Sequence, residues 1–165
     1  MRLSKSLVSV LVLALLAAPP ASARPSATGW DRMKSLVGSW QGTGEGKVVS
    51  VRYALVSNGT ALMETLDGDH DVTMITMYAP DAATVLATHY CAAGNQPRMR
   101  AAASPDGKSL AFEFVDASNV TAASADVMRS LVVTFVDADH FEQEWTSRAA
   151  DGKEHTSVFR YSRKH

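Results

Sequence analysis

Hydrophobic and polar side chains alternate along most of the chain from residue 47 onward, which is the pattern of half-buried β-strands. Turn signals such as Asn58-Gly59 and Asp151-Gly152 separate the runs at intervals of about ten to thirteen residues, the spacing of all-β sandwiches and barrels. The alternation persists to the last residues, and no helical period interrupts it for long. The pattern predicts an all-β fold: a closed antiparallel up-and-down β-barrel of about 8–10 strands.

A short amphipathic helix is predicted ahead of the first strand, over residues 29–36. Trp30, Met33 and Val37 follow one another at helical spacing, and Thr28 is a candidate N-cap. The apolar face of this segment is narrow. We therefore expect the helix to lie over one end of the barrel.

The stretch from 117 to 128 interrupts the alternation, because it is too long for a hairpin loop and rich in Ala, Ser and Asp. It is interpreted either as a lid that carries a helical turn over one opening, or as a solvated loop. The sequence does not choose between these two interpretations.

The first 23 residues have the pattern of a secretory signal peptide. Arg2 and Lys5 precede an apolar run from Leu7 to Ala18, which is too short to span a bilayer, and a small-residue cleavage site ends at Ala23. The alternative is an uncleaved membrane anchor. We expect an exported protein, periplasmic or extracellular, in which residues 24–165 form a single barrel domain without stable membrane insertion.

The charge of the chain bears on its partners, and its cysteine content bears on how the fold is stabilised. The chain has 16 Lys and Arg against 17 Asp and Glu, and its basic residues are scattered, so a nucleic-acid partner is not expected. Its lone cysteine, Cys91, cannot form an intramolecular disulfide, so the fold must be stabilised by its core. A monomer or a weak homodimer is predicted.

Two reactive side chains lie two positions apart on one predicted strand. His89 and Cys91 therefore share a face, where an imidazole and a thiol would either hold a metal or pair as base and nucleophile. A metal would need a third ligand, for which His70 and His140 are the candidates. The alternative is a packed thiol and a hydrogen-bonded histidine, and no complete metal or catalytic signature is present.

Further candidates for lining a pocket occur on neighbouring predicted strands. Tyr78 and Tyr90 are expected to line the cavity on the alternate face, and Gln143 is a polar residue that the alternation places inside the barrel. Arg98 would anchor a carboxylate if its face were interior, or pair with Glu113 on a neighbouring strand if exterior. Met99 lies on the opposite face and, with other methionines, would supply adaptable lining.

The segment Gly38-x-Trp40-x-Gly42-x-Gly44, placed between the predicted helix and the meander, resembles the N-terminal signature of calycins, and in its longer form that of the nitrobindin branch. The stretches around residues 88–91 and 95–99 resemble a group of exported bacterial calycin-like proteins of unknown function. The resemblance implies that an arginine, Arg160 or Arg163, covers Trp40 at the barrel floor.

The same resemblance implies that haem binding is to be considered, through a histidine in a late strand. His155 and His165 are the late candidates, and neither lies in the middle of a predicted strand. Haem is therefore an alternative cofactor, and the cofactor is otherwise unknown.

Together these observations predict an exported β-barrel that binds a small, largely apolar molecule. The alternatives are a nitrobindin-like haem protein, an enzyme that uses His89 and Tyr90 in the barrel cavity, and a filled barrel that serves only in protein contacts.

Overall fold

The computed structural model describes residues 28–67, 73–122 and 125–165. These residues form one short helix, α1 (Gly29–Lys34), a 3-10 turn (Ser57–Gly59) and ten strands. The strands are β1 (Gly38–Gly44), β2 (Lys47–Val56), β3 (Ala61–Asp67), β4 (Thr73–Asp81), β5 (Thr84–Tyr90), β6 (Gln96–Ala103), β7 (Ser109–Ser118), β8 (Val127–Phe135), β9 (His140–Arg148) and β10 (Glu154–Arg163).

Every strand pairs antiparallel with the strands before and after it, and β1 pairs with β10 to close the barrel. In this closing pair Gly42 lies opposite Tyr161 and Trp40 lies opposite Arg163. The predicted fold class, a closed up-and-down barrel with a short helix at the N-terminal side, is confirmed. The predicted signal peptide, residues 1–23, lies outside the described residues. Within the described ranges, no helix reaches the length and hydropathy that a membrane span requires.

The alternation along each strand places one set of side chains in the barrel interior. In β9, for example, Phe141, Gln143 and Trp145 are buried, while Glu144 between them is exposed. The barrel has two distinct ends. We call the end that carries α1 and Trp40 the helix end, and the opposite end, where β3 stops at Asp67, the distal end.

Trp40 forms the centre of the helix end. Its indole Nε1 donates a hydrogen bond to the carbonyl of Leu36, 2.7 Å away, and its ring meets Phe141 edge-on at 4.7 Å between centroids. The guanidinium of Arg163 lies 4.0 Å from the Trp40 ring centroid, a cation–π contact. Of the two arginines that the resemblance suggested, Arg163 therefore covers the tryptophan, while Arg160 forms an ion pair with Glu142 on the exterior.

The glycines around Trp40 allow this close packing. Gly38 has a φ of +133°, a conformation that side-chain-bearing residues rarely adopt. A Cβ at Gly42 would overlap the backbone of Arg160, and one at Gly44 would overlap the ring of Phe159. The motif is therefore required by the pairing of β1 with β10.

Three local predictions differ from the structure. The helix ends at Lys34, two residues earlier than predicted, where Ser35 caps it. The turn at Asn58-Gly59 is not a two-residue hairpin, because Val56 pairs with Ala61 and leaves a four-residue loop that contains the 3-10 turn. The two ends of the stretch 117–128 belong to β7 and β8, which leaves 119–126 as the connection between these strands. Residues 123 and 124 of this connection lie outside the described residues.

We expect Arg163→Met to lower the free energy of unfolding by about 2 kcal/mol, measured by urea denaturation. The substitution removes the cation from Trp40 and leaves the carbonyls of Val37 and Ser35 without the donors Nη1 and Nη2. The control is Arg160→Met, whose exposed ion pair should contribute less than about 1 kcal/mol. Equal effects of the two substitutions would contradict this account of the barrel floor.

Candidate functional site

A small cavity of about 70 Å³ lies inside the barrel toward the distal end. Its buried lining comprises three polar side chains, Glu64, Thr76 and His89, and the ring of Trp145. Its remaining lining is mostly apolar and partly exposed. These residues are Leu66, Met74, Met128, Ser157 and Phe159. Since solvent reaches this second group, the cavity is a cup with a polar floor and an apolar rim.

The polar floor is a row of three side chains on three adjacent strands. Glu64 in β3 lies directly opposite Thr76 in β4, and Thr76 lies directly opposite His89 in β5. Residues paired in this way project from the same face of the sheet with their Cβ atoms about 5 Å apart. Strand register therefore brings a carboxyl group, a hydroxyl group and an imidazole together inside the barrel.

His89 has one satisfied and one unsatisfied ring nitrogen. Its Nδ1 shares a hydrogen bond with Thr76 Oγ1 at 2.9 Å, whereas its buried Nε2 has no hydrogen-bond partner among the described residues. The ring lies 4.9 Å from that of Trp145. Burial lowers the pKa of His89 to about 4, because charging the ring there would cost its hydration. The imidazole is therefore neutral at physiological pH.

The carboxyl group of Glu64 accepts hydrogen bonds from side chains of two other strands, β4 and β9. Tyr78 donates from its hydroxyl to Oε2 at 2.5 Å, and Gln143 Nε2 donates to Oε1 at 2.9 Å and lies equally close to the Tyr53 hydroxyl. Burial raises the pKa of Glu64, and these hydrogen bonds to the carboxyl group offset part of that effect. The network fills the barrel between the cavity and the aromatic layer around Trp40.

Several predicted site residues converge at this cavity. His89 lines it directly, and Tyr78 and Gln143 bind the carboxyl group of Glu64 beneath it. Met99 is buried in the core but is not part of the cavity lining. The prediction that Gln143 is a polar residue inside the barrel is confirmed.

Other predicted site residues lie elsewhere. Tyr90 is 50% exposed on the outer face at the end of β5, so it does not share a site with His89. Cys91 follows the strand, is partly buried, and does not line the cavity. Because β5 ends at Tyr90, the strand that was predicted to carry His89 and Cys91 on one face stops before the cysteine.

Arg98 lies on the exterior, where its guanidinium pairs with both carboxylate oxygens of Asp116. In the register of β6 and β7, which shifts between Arg98 and Met99, Asp116 lies opposite Arg98, and Glu113 lies opposite Arg100. The expected partner Glu113 is therefore wrong. Arg98 does not anchor a carboxylate inside the barrel, because its side chain is exposed on the outer face.

The described structure does not fit a haem. His155 is exposed, with Nε2 2.7 Å from Glu45 Oε1, and His165 is exposed near Asp139. The cavity beside His89, at about 70 Å³, is far below the roughly 300 Å³ at which pockets for drug-sized molecules begin. His140 is bound to Asp137 on the surface, and His70 lies outside the described residues.

Sequence reasoning missed the carboxyl group and the tryptophan of this site. Glu64 lies between Leu62 and Leu66 on an alternating run, and that position alone places it on the interior face. Trp145 lies two residues after Gln143, on the same face. Alternation was thus a sufficient signal for both. The sequence around Thr76 and Met128 does not alternate clearly between apolar and polar residues, so it does not show which face of the strand carries them.

No protein-family model and no curated protein sequence matches this chain. Solved structures do match it. Rv2717c from M. tuberculosis superposes with a TM-score of 0.61 at 18% identity, over 84% of this chain and 99% of that one. A protein of unknown function from the DUF3598 family of Nostoc punctiforme superposes with a TM-score of 0.57 at 14% identity. That match covers 80% of this chain and 48% of the other. At these identities the likeness shows the barrel fold alone.

We expect the wild-type protein to lose about 2 kcal/mol more stability than His89→Gln between pH 7 and pH 5. In this range the unfolded histidine, with a pKa of 6.5, takes up a proton that the folded one, with a pKa of about 4, does not. Stability from this group is therefore lost as pH falls. Urea denaturation at each pH provides the measurement.

The comparison of these two proteins isolates His89, because Glu64 is present in both. The raised pKa of Glu64 acts with the opposite sign, since a folded carboxyl group that binds protons more readily stabilises the fold as pH falls. Parallel pH profiles for the two proteins would show that folding does not lower the pKa of His89.

Proposed function

We propose that this protein is an exported, calycin-like barrel that binds a small, neutral, largely apolar molecule in the distal cavity. The observation that carries the proposal is the buried Nε2 of His89, which has no partner among the described residues and belongs to a cavity with an apolar rim. Export is supported by the pattern of residues 1–23, and the calycin-like assignment by the barrel and the motif at residues 38–44.

An unpartnered buried nitrogen is costly. Leaving a buried polar group without a hydrogen bond costs about 1–3 kcal/mol, so native structures seldom keep one without a reason. A ligand atom that meets His89 Nε2 would recover this energy. Water is the competing occupant, because a 70 Å³ space has room for about two water molecules.

The charge of the lining favours a neutral ligand. Neither Lys nor Arg is among the residues that line the cavity, and the acidic side chain there is Glu64. An anionic head group would lose its hydration without gaining a cation, which disfavours fatty acids and similar carboxylates. His89 is neutral as well, so the polar interaction that it provides for a ligand is a hydrogen bond at Nε2.

The size of the cavity limits how the ligand is held. Only a few atoms fit into 70 Å³, so one end of the molecule would enter and the rest would contact the rim. Met74 and Met128 are well suited to such contacts, because an unbranched thioether side chain adapts to different shapes.

A test uses phenol as the neutral probe and benzoate as the anionic probe of similar size, at pH 7, followed by amide NMR shifts. We expect saturable shifts with phenol that are centred on His89 and Trp145, and at least tenfold weaker binding of benzoate. His89→Leu should weaken phenol binding about tenfold, as expected for one lost hydrogen bond of about 1.4 kcal/mol.

The control is Tyr90→Phe, which removes a hydroxyl from the next residue on the outer face and should leave the phenol affinity unchanged. Benzoate binding as tight as that of phenol would overturn the neutral-ligand proposal. Shifts that do not respond to His89→Leu would remove the role assigned to its Nε2.

A further inference from the structure

We propose that the distal cavity also binds one soft monovalent metal ion, Cu⁺ or Ag⁺, through His89 Nε2 and the thioether sulfurs of Met74 and Met128. The inference rests on the proposed function only in taking this cavity as a binding site with His89 as its anchor. The three ligands come from β5, β4 and β8, and all three line the same 70 Å³ space.

The donor set determines the class of metal. Thioether sulfur is a soft ligand that selects Cu⁺, and imidazole suits copper as well, whereas carboxylate and water ligands suit Mg²⁺, Ca²⁺ and Mn²⁺. Both oxygens of Glu64 already accept hydrogen bonds from Tyr78 and Gln143. Among the described residues, no three His, Cys, Asp or Glu side chains meet as a metal site, so a site for a hard or borderline cation is absent there.

The size and position of the cavity suit an ion. A space of about 70 Å³ is small for an organic molecule and ample for a single metal ion. Met74 and Met128 are partly exposed, so an ion arriving from the distal end meets them first. Their side chains have three rotatable bonds, which lets the sulfurs close on an ion at His89.

The imidazole is already held in a suitable orientation. A metal at Nε2 requires the proton to be on Nδ1, where it would be donated to Thr76 Oγ1 at 2.9 Å. The Thr76 hydroxyl proton is then directed away from His89, toward Glu64, which lies opposite Thr76 in the ladder. The paired side chains of Glu64, Thr76 and His89 thus direct Nε2 of His89 toward the metal. Carboxyl groups orient metal-bound histidines in a similar way in other proteins.

The experiment is an Ag⁺ titration in a chloride-free nitrate buffer, with Ag⁺ as a redox-stable substitute for Cu⁺. All proteins carry Cys91→Ser, because a free thiol two residues from His89 binds Ag⁺ on its own. We expect one Ag⁺ per chain by native mass spectrometry, retained in a hundredfold excess of Zn²⁺. His89→Leu, Met74→Leu and Met128→Leu should each weaken binding at least tenfold.

The matched control is Met77→Leu. Met77 lies in the same strand as Met74 but on the opposite face, where it pairs with Met63 and Thr88. Leu replaces Met with little change of volume, so all methionine variants should fold, which their urea midpoints will verify. Loss of Ag⁺ binding in the Cys91→Ser background would overturn the inference, as would equal weakening by Met77→Leu and Met74→Leu.

Phenol titrations of the same variants separate the two proposals. Phenol binding that depends on His89 without Ag⁺ binding overturns the metal inference and leaves the proposed function in place. Ag⁺ binding without phenol binding supports the metal inference and overturns the neutral-ligand proposal. If neither probe binds, both fall.

Discussion

Pairing of the first strand with the last is the interaction on which the rest of the structure depends. Gly42 and Gly44 allow the backbone of β10 and the ring of Phe159 to approach β1 closely. Closure removes the two exposed sheet edges and separates an inner face from an outer face. Only then do Glu64, Thr76 and His89 share a buried row, because an open sheet would leave their face in water.

The barrel interior changes in character from the helix end to the distal end. At the helix end, Trp40, Phe141 and Tyr161 form stacked and edge-on contacts that fill the barrel. In the middle, the network around Glu64 satisfies nearly every polar group that it buries. At the distal end, the buried Nε2 of His89 lies at the cavity and has no hydrogen-bond partner in the part of the chain that the structure describes. The polar network around Glu64 thus separates the aromatic layer around Trp40 from the distal cavity.

The strands, the closed barrel and the Trp40 floor could be predicted from the sequence, because each depends on local alternation or on a short motif. The register could not. Tyr53 and Gln143 meet in one hydrogen-bond network although 90 positions separate them, and only barrel closure brings them together. The shift between Arg98 and Met99 is likewise invisible to alternation, since a bulge depends on both strands. Which face of β5 points into the barrel, and therefore whether His89 is buried, also depends on long-range strand pairing.

The order of the strands has a consequence for how the chain folds. Gly42 and Tyr161 lie 119 positions apart in the sequence and yet face each other in the closing ladder. Contacts of such separation form late and slowly, because a long stretch of chain must be ordered before they stabilise it. Until β10 arrives, β1 and β9 are open edges that other chains can join. The chain is therefore more prone to associate with other chains before the barrel closes than after it.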